Sequence, residues 1–354
     1  MSSENSRKIA DFAVKQQQPY EFKKAYARKR AWEFIDECCK RGLNYHCTVG
    51  GLDSITLFLF LKSIGISDVV GISASYLEDS SIQRVHKDLG IVQINPLKDK
   101  TGRTYTKQRV IEEFGFPVIS KESSGRIEVL NNPTESNRAY RHTIMTGERV
   151  VNGKVVKSRY NKLPQKWIEK FAGKENENYG TNYQVAPFKV SDKCCYYLKE
   201  KPLEKWAKQH NSVPFLGLMA SEGGRRETAL KIHGCNYFGK KKTRSCPFAI
   251  FNRQDLLRLA LELNVPVPEI YGEIKSTNGT LYTTGAERTG CSMCGFGVHL
   301  EESPNRFERL KMRNKKEWEY WMFKCCTDEK TGENYGWSRV CDYICVPYGL
   351  DVLE

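Results

Sequence analysis

The stretch Asn44-Tyr-His-Cys-Thr-Val-Gly-Gly-Leu-Asp-Ser54 decides how the rest of this chain reads. Asn44–Thr48 reads as a short strand and the apolar run from about Ser54 to Ser63 as a helix, so two glycines turn a strand directly into a helix. A turn without Cβ atoms lets a ligand come close to the backbone. The helix that follows offers free N–H groups and the positive end of its dipole, which suits phosphate. Asp53 adds a carboxylate able to face a metal or take a proton, and Ser54 adds a hydroxyl donor. The same two residues also fit an ordinary turn in which one of them caps the helix.

Working outward, residues 1–18 are polar and end in Gln16-Gln17-Gln18, which suggests a loose arm. Glu21 to Arg41 reads as a helix with a basic outer face, stopped by Gly42. Beyond the glycine turn the expected order is a strand at Val69–Ser75, a helix near Asp79–Leu89, a strand at Ile91–Asn95, a helix at Thr106–Phe114 and a strand at Pro117–Ser120. Strands alternating with helices predict an α/β fold, a mostly parallel sheet flanked by helices. Residues 120–160 are polar and read as a substrate-facing excursion. Further on, Lys193–Gln209 reads as a helix, Phe215–Ala220 as a strand, Arg253–Leu263 as a helix and Gly272–Gly285 as a loop or hairpin. The basic, aromatic Arg306–Cys326 reads as helical. The expected organisation is an N-terminal arm and helix over 1–43, a main domain over 44–300 and an extension over 301–354.

The 354 residues carry 56 Lys and Arg against 42 Asp and Glu, a net charge of +14 that favours anionic partners: nucleotides, nucleic acid or an acidic protein surface. With 40% hydrophobic residues the chain can build a full core. No apolar run approaches the roughly 18–20 residues of a membrane-spanning helix, and the start lacks the pattern of a signal peptide, so the expected location is cytoplasmic, with no membrane partner. In a reducing compartment, thirteen cysteines favour metal or redox ligation over disulfides.

Two cysteine pairs stand out, Cys194-Cys195 and Cys291-Ser-Met-Cys294; four thiolates suit zinc or an iron–sulfur cluster. Cys47 and Cys235 read instead as small buried hydrophobes. The further pairs Cys38-Cys39 and Cys325-Cys326 show that adjacency alone is weak evidence. In Gly217-Leu-Met-Ala-Ser-Glu-Gly-Gly-Arg-Arg-Glu227, Arg225 and Arg226 could grip phosphate or sulfate through paired donors, or be solvated charges at a helix start.

Gly50, Gly51, Asp53 and Ser54 resemble the Ser-Gly-Gly-x-Asp-Ser PP-loop of the adenine-nucleotide α-hydrolase superfamily, with Val49 in the serine position. Ala186-Pro-Phe-Lys-Val-Ser-Asp-Lys-Cys-Cys195 and Gly290-Cys-Ser-Met-Cys-Gly-Phe-Gly-Val-His-Leu-Glu301, with Pro304-Asn-Arg-Phe307, resemble the iron–sulfur members of the phosphoadenosine-phosphosulfate (PAPS) reductase family, in particular its bacterial and phage-associated branch. The resemblance spans about residues 45–310. It implies a [4Fe–4S] cluster on Cys194, Cys195, Cys291 and Cys294. It also implies ATP or a related adenine nucleotide at Val49, Gly50, Gly51, Asp53 and Ser54, accompanied by Mg2+, with Asp53, Arg225 and Arg226 as the catalytic set. Valine at 49 lacks a hydroxyl whose bond to a charged phosphate is worth roughly 1.5–3 kcal/mol.

Three activities follow from the resemblance. The first is ATP cleavage to AMP and pyrophosphate with sulfur transfer to a substrate, nucleic acid among the candidates; Asp53 favours it. The second is reduction of adenylyl sulfate or PAPS to sulfite, against which stands the lack of a C-terminal Glu-Cys-Gly-[Leu/Ile]-His segment; Val340-Cys-Asp-Tyr-Ile-Cys-Val346 does not match it. The third is a non-catalytic nucleotide-binding or redox-sensing subunit. The sulfur and electron donors have no signature in the sequence.

Overall fold

The structure, a computed structural model, describes residues 3–158, 160–173, 185–239 and 242–349, apart from the side chains of Ser3, Ser75 and Arg225. The chain divides into two units. One comprises Met1–Asn95 and Lys201–Ser292, the other Pro96–Glu200 and Met293–Glu354.

The first unit is built on a six-stranded sheet. Its spatial order is Val92–Gln93, Val70–Ser73, Asn44–Thr48, Ser212–Leu216, Thr243–Ser245 and Asn236–Phe238. The first five of these run parallel and the last is antiparallel to its neighbour. The α/β class read from the sequence is the one observed. The helix Leu52–Ser63 leaves the central strand with Leu52, Ile55, Leu57, Phe58, Phe60 and Leu61 all buried. Being apolar on every side, it belongs inside the unit rather than on its surface; the hydroxyl of its one buried threonine, Thr56, donates to the Leu52 carbonyl at 2.8 Å. The helix Tyr20–Lys40 packs Ala27, Ala31, Phe34 and Cys38 into the same core, where Phe34 meets Phe215 edge-on at 4.9 Å.

Residues 3–16 form a helix where the sequence suggests a loose arm. Its inward stripe is thin: Ile9, Ala13 and Gln16 are only half-buried, and Phe12 alone is buried in the core. One aromatic anchor among charges does not announce an amphipathic helix.

The second unit has its own core around Phe116, Phe171, Phe307, Trp318 and Trp337. The strand expected at Pro117–Ser120 is confined to Val118–Ile119. It lies outside the six-stranded sheet, paired in parallel with Gly295–Phe296. The polar excursion over 120–160 is ordered as helices Lys121–Asn131 and Arg138–Thr146 followed by a hairpin, Glu148–Val151 with Lys154–Lys157. Of the helix expected over Lys193–Gln209, Lys193–Cys195 and a π-helical segment, Tyr196–Glu200, lie in this unit and Lys201–Gln209 is a helix of the first. Arg306–Cys326 is broken at Asn314, whose side chain caps a second helix, Lys315–Phe323. No helix among the described residues is long and apolar enough to cross a membrane.

Candidate functional site

In the first unit, the sheet grows in one direction from Asn44–Thr48 through Val70–Ser73 to Val92–Gln93, and Ser212–Leu216 then docks on the other side of the central strand. This reversal is a topological switch point, and in open α/β sheets the crevice beyond the strand C-termini at such a point is where ligands bind. Both strands end there in glycine-bearing loops, Gly50-Gly51 and Gly217. A Cβ on Gly217 would come within 3.0 Å of the backbone nitrogen of Ser54, so only glycine lets the second loop lie against the first helix turn.

Two N–H donors of the glycine turn, those of Gly50 and Leu52, are engaged by protein groups. The Gly50 N–H donates to Ser54 Oγ at 2.7 Å, and that hydroxyl donates to the Gly51 carbonyl at 3.0 Å. The Leu52 N–H, in the first helical turn, donates to Tyr271 Oη at 3.1 Å; this hydroxyl also bonds Thr289 Oγ1 at 2.6 Å. A Cβ on Gly51 would stand 2.2 Å from Tyr271 Oη, so the close approach that this glycine permits is made by the tyrosine. His86 Nε2 donates to the Gly50 carbonyl at 2.8 Å. Val49 is buried in the core and gives its N–H to the Ile72 carbonyl at 2.8 Å.

Asp53 is held by Arg253, whose Nη1 donates to Oδ1 at 2.8 Å while Nη2 reaches the Glu287 carbonyl at 2.9 Å. Burial pushes the Asp53 carboxyl above its ordinary range; the Arg253 and Arg288 charges pull it down, and Glu222 pushes it further up. Arg253 opens the helix Arg253–Glu262, whose start is fixed by the reciprocal bonds of Asn252 and Asp255. Asp255 is in turn anchored by the buried Lys23 at 2.8 Å. The arginine facing Asp53 therefore sits on a rigid platform.

On the Gly217–Glu227 segment, Arg226 pairs with the largely buried Glu222 one helical turn back. Arg226 itself is 59% exposed, so its other donors can turn outward. The Arg225 side chain lies outside the described residues.

Of the proposed cysteine ligands, Cys194 is buried and Cys195 half-buried on the short helix Lys193–Cys195. Cys291 and Cys294 are half-buried. The backbone turns between them at Met293, whose φ of 53° is left-handed. The Cys294 carbonyl accepts from Arg306 Nη1 at 3.1 Å. The division between units falls between Ser292 and Met293, inside this motif. No disulfide joins any of the thirteen cysteines. Among the described residues, no group of three or more His, Cys, Asp or Glu side chains meets as a metal site. Cys47 and Cys235 are the buried hydrophobes expected, and burial pushes both thiols up, Cys235 to about 12.

Tyr271, Thr289 and Arg253 are the members of this site that sequence reasoning missed. Tyr271 lies 219 positions from Leu52, and no local pattern marks it.

Comparison with protein-family profiles finds no match, and neither does comparison with curated protein sequences. Among solved structures, the chain is similar to a crystal structure of phosphoadenylyl-sulfate (PAPS) reductase from Candida auris in a phosphate complex. The two share 11% identity and a TM-score of 0.34, over 70% of this chain and 88% of that one. That likeness is too loose to carry an argument, and the fold class rests on the strand order itself.

Proposed function

We propose that this chain is an adenine-nucleotide-binding PP-loop protein of the PAPS reductase family that cleaves ATP to AMP and pyrophosphate and directs sulfur to an acceptor. The observation carrying the reading is the Gly50–Ser54 turn at the switch point of a parallel sheet. In this reading the Gly50 and Leu52 N–H groups and the Ser54 hydroxyl hold phosphate oxygens, and Asp53 faces the nucleotide with its Mg2+. Arg225 and Arg226 neutralise developing charge. An acceptor oxygen attacks the α-phosphorus, the α–β phosphoanhydride bond breaks and pyrophosphate leaves. A sulfide-level sulfur species then forms the new bond to the acceptor, and AMP departs with the oxygen.

Cys194, Cys195, Cys291 and Cys294 would hold the [4Fe–4S] cluster. By donor type they suit it: four thiols with no disulfide among them, Cys291 and Cys294 half-buried in the Cys-x-x-Cys turn. When bound, the cluster supplies electrons or a sulfur-holding site. Adenylyl sulfate or PAPS reduction is the second reading, supported by the same cysteine pattern. A non-catalytic nucleotide-binding subunit is the third, supported by Val49 in place of the serine.

The experiment is product analysis on anaerobically purified protein offered ATP or adenylyl sulfate and PAPS, with DNA and tRNA added to separate ATP reactions. AMP with pyrophosphate, lost in Asp53→Asn, is the expected result. Sulfite from adenylyl sulfate or PAPS would replace it with the reductase reading.

A further inference from the structure

The hairpin Glu148–Val151 with Lys154–Lys157 in the second unit has no role in the reading above. Its pairs are Glu148 with Lys157, Arg149 with Val156, Val150 with Val155, and Val151 with Lys154. Asn152 and Gly153, both left-handed, make a two-residue turn of the type that suits a twisted hairpin. Its root is fixed. Gly147 ends the helix Arg138–Thr146 in a left-handed conformation, its carbonyl accepts the Ser158 N–H at 2.5 Å, and the Glu148 N–H donates to Thr146 Oγ1 at 3.0 Å. The rest of the ribbon is in solvent. Seven of its eight strand residues are exposed, with Val150 at 71% and Val155 at 65%.

An isolated two-stranded hairpin with valines on both faces gains little from folding alone. Val150 and Val155 pair side by side on one face and stay exposed, a small apolar patch set among cations. The charges choose its partner. Arg149, Lys154 and Lys157 stand against one carboxylate, Glu148, within a chain of net charge +14. Among the described residues, no ion pair engages any of those three cations.

We propose that this hairpin enters the major groove of double-stranded DNA. Its two strands lie about 4.8 Å apart, which leaves room for side chains within the groove, and four residues per strand at about 3.3 Å each let it run about 13 Å along it. The major groove of B-form DNA is roughly 12 Å wide and 8.5 Å deep and admits a two-stranded ribbon. Arg149, Lys154 and Lys157 meet phosphates or guanine edges, and the valine methyls meet thymine methyls. The deep, narrow major groove of A-form RNA excludes the same ribbon. Binding stands on the hairpin alone; only its use to deliver an acceptor rests on the function proposed above.

The test is equilibrium binding of the full chain to a 20-base-pair DNA duplex and to the RNA duplex of the same sequence, without nucleotide, over a range of salt. The account expects DNA to bind more tightly than RNA. R149E/K154E/K157E should weaken DNA binding at least tenfold at physiological salt and flatten the log–log salt slope by about 2.7, three phosphate contacts at roughly 0.9 each. The three side chains are exposed, so the thermal melt should hold. Equal binding to RNA, an unchanged triple variant, or no DNA binding at 50 mM salt would each overturn the proposal. So would hairpin-dependent dimerisation of the DNA-free protein, which would assign the ribbon to strand pairing between copies. If DNA binds as expected but ATP is not cleaved, the function proposed above fails and the hairpin assignment stands.

Discussion

At the glycine turn, Gly50, Leu52 and Asp53 each meet a protein partner within the first unit: Ser54, Tyr271 and Arg253. Around Cys291 and Cys294 the chain instead passes from one unit to the other between Ser292 and Met293, and the second unit's core joins residues as distant as Phe116 and Trp337. The first region is a strand–turn–helix whose polar groups are satisfied by side chains of the same unit. The second is a Cys-x-x-Cys turn with Cys291 in one unit and Cys294 in the other. The glycine turn is therefore complete within one unit and occupied by that unit's own tyrosine, whereas the Cys-x-x-Cys turn falls on the boundary between the two.

The sharpest way to break the second region is Trp337→Ala. Trp337 is fully buried, edge-on to Phe116 at 5.0 Å and against Phe307 at 5.2 Å. Truncation should cost about 3–5 kcal/mol in denaturant unfolding. A loss under about 1 kcal/mol would show that this aromatic cluster is not the centre of that core.

In the first region, His46 of the central strand is buried against Ser212, its Nδ1 2.7 Å from the hydroxyl. Burial, helped by the nearby His210, lowers its pKa to about 4 from the usual 6.5. The native state then binds fewer protons than the unfolded chain between those values. Stability rises with pH through this window, and acidification from pH 6.5 to 4 should remove about 3 kcal/mol. Urea unfolding from pH 4 to 7 should show a flatter dependence for His46→Gln; parallel curves would remove His46 from the acid response.

The smallest effect is also the most specific to the glycine turn. Tyr271→Phe deletes the hydroxyl that occupies the Leu52 N–H, and burial, the largest influence on that hydroxyl, pushes its pKa up so that it stays protonated. Freeing one donor is worth about 0.5–1.5 kcal/mol, so pyrophosphate should bind several-fold, up to about tenfold, more tightly by calorimetry. Weaker binding would make Tyr271 part of the ligand site rather than its occupant.

What the sequence made legible follows the same division. Asn44–Thr48, the glycine turn and the helix after it carry their signals within eleven to twenty residues, and the parallel sheet followed from that alternation. The sequence showed Asp53 but not Arg253, which comes from a helix 200 positions away. Tyr271 and Thr289 were hidden for the same reason. In the second unit the strand at Val118–Ile119 was legible, but its partner Gly295–Phe296 has only two residues, too few for any alternation to register. The 148–157 hairpin was hidden by its own exposure, since valines and cations that face solvent together have no buried face to set a period of two.

The most direct measurement of the central claim is hydrogen–deuterium exchange of the full chain with and without ATP and Mg2+. The account predicts slower exchange over residues 49–57, where Gly50 and Leu52 would trade Ser54 and Tyr271 for phosphate oxygens, together with a change at the segment around Tyr271. Protection confined to other segments, or no protection at millimolar ATP, would contradict a nucleotide site at the glycine turn.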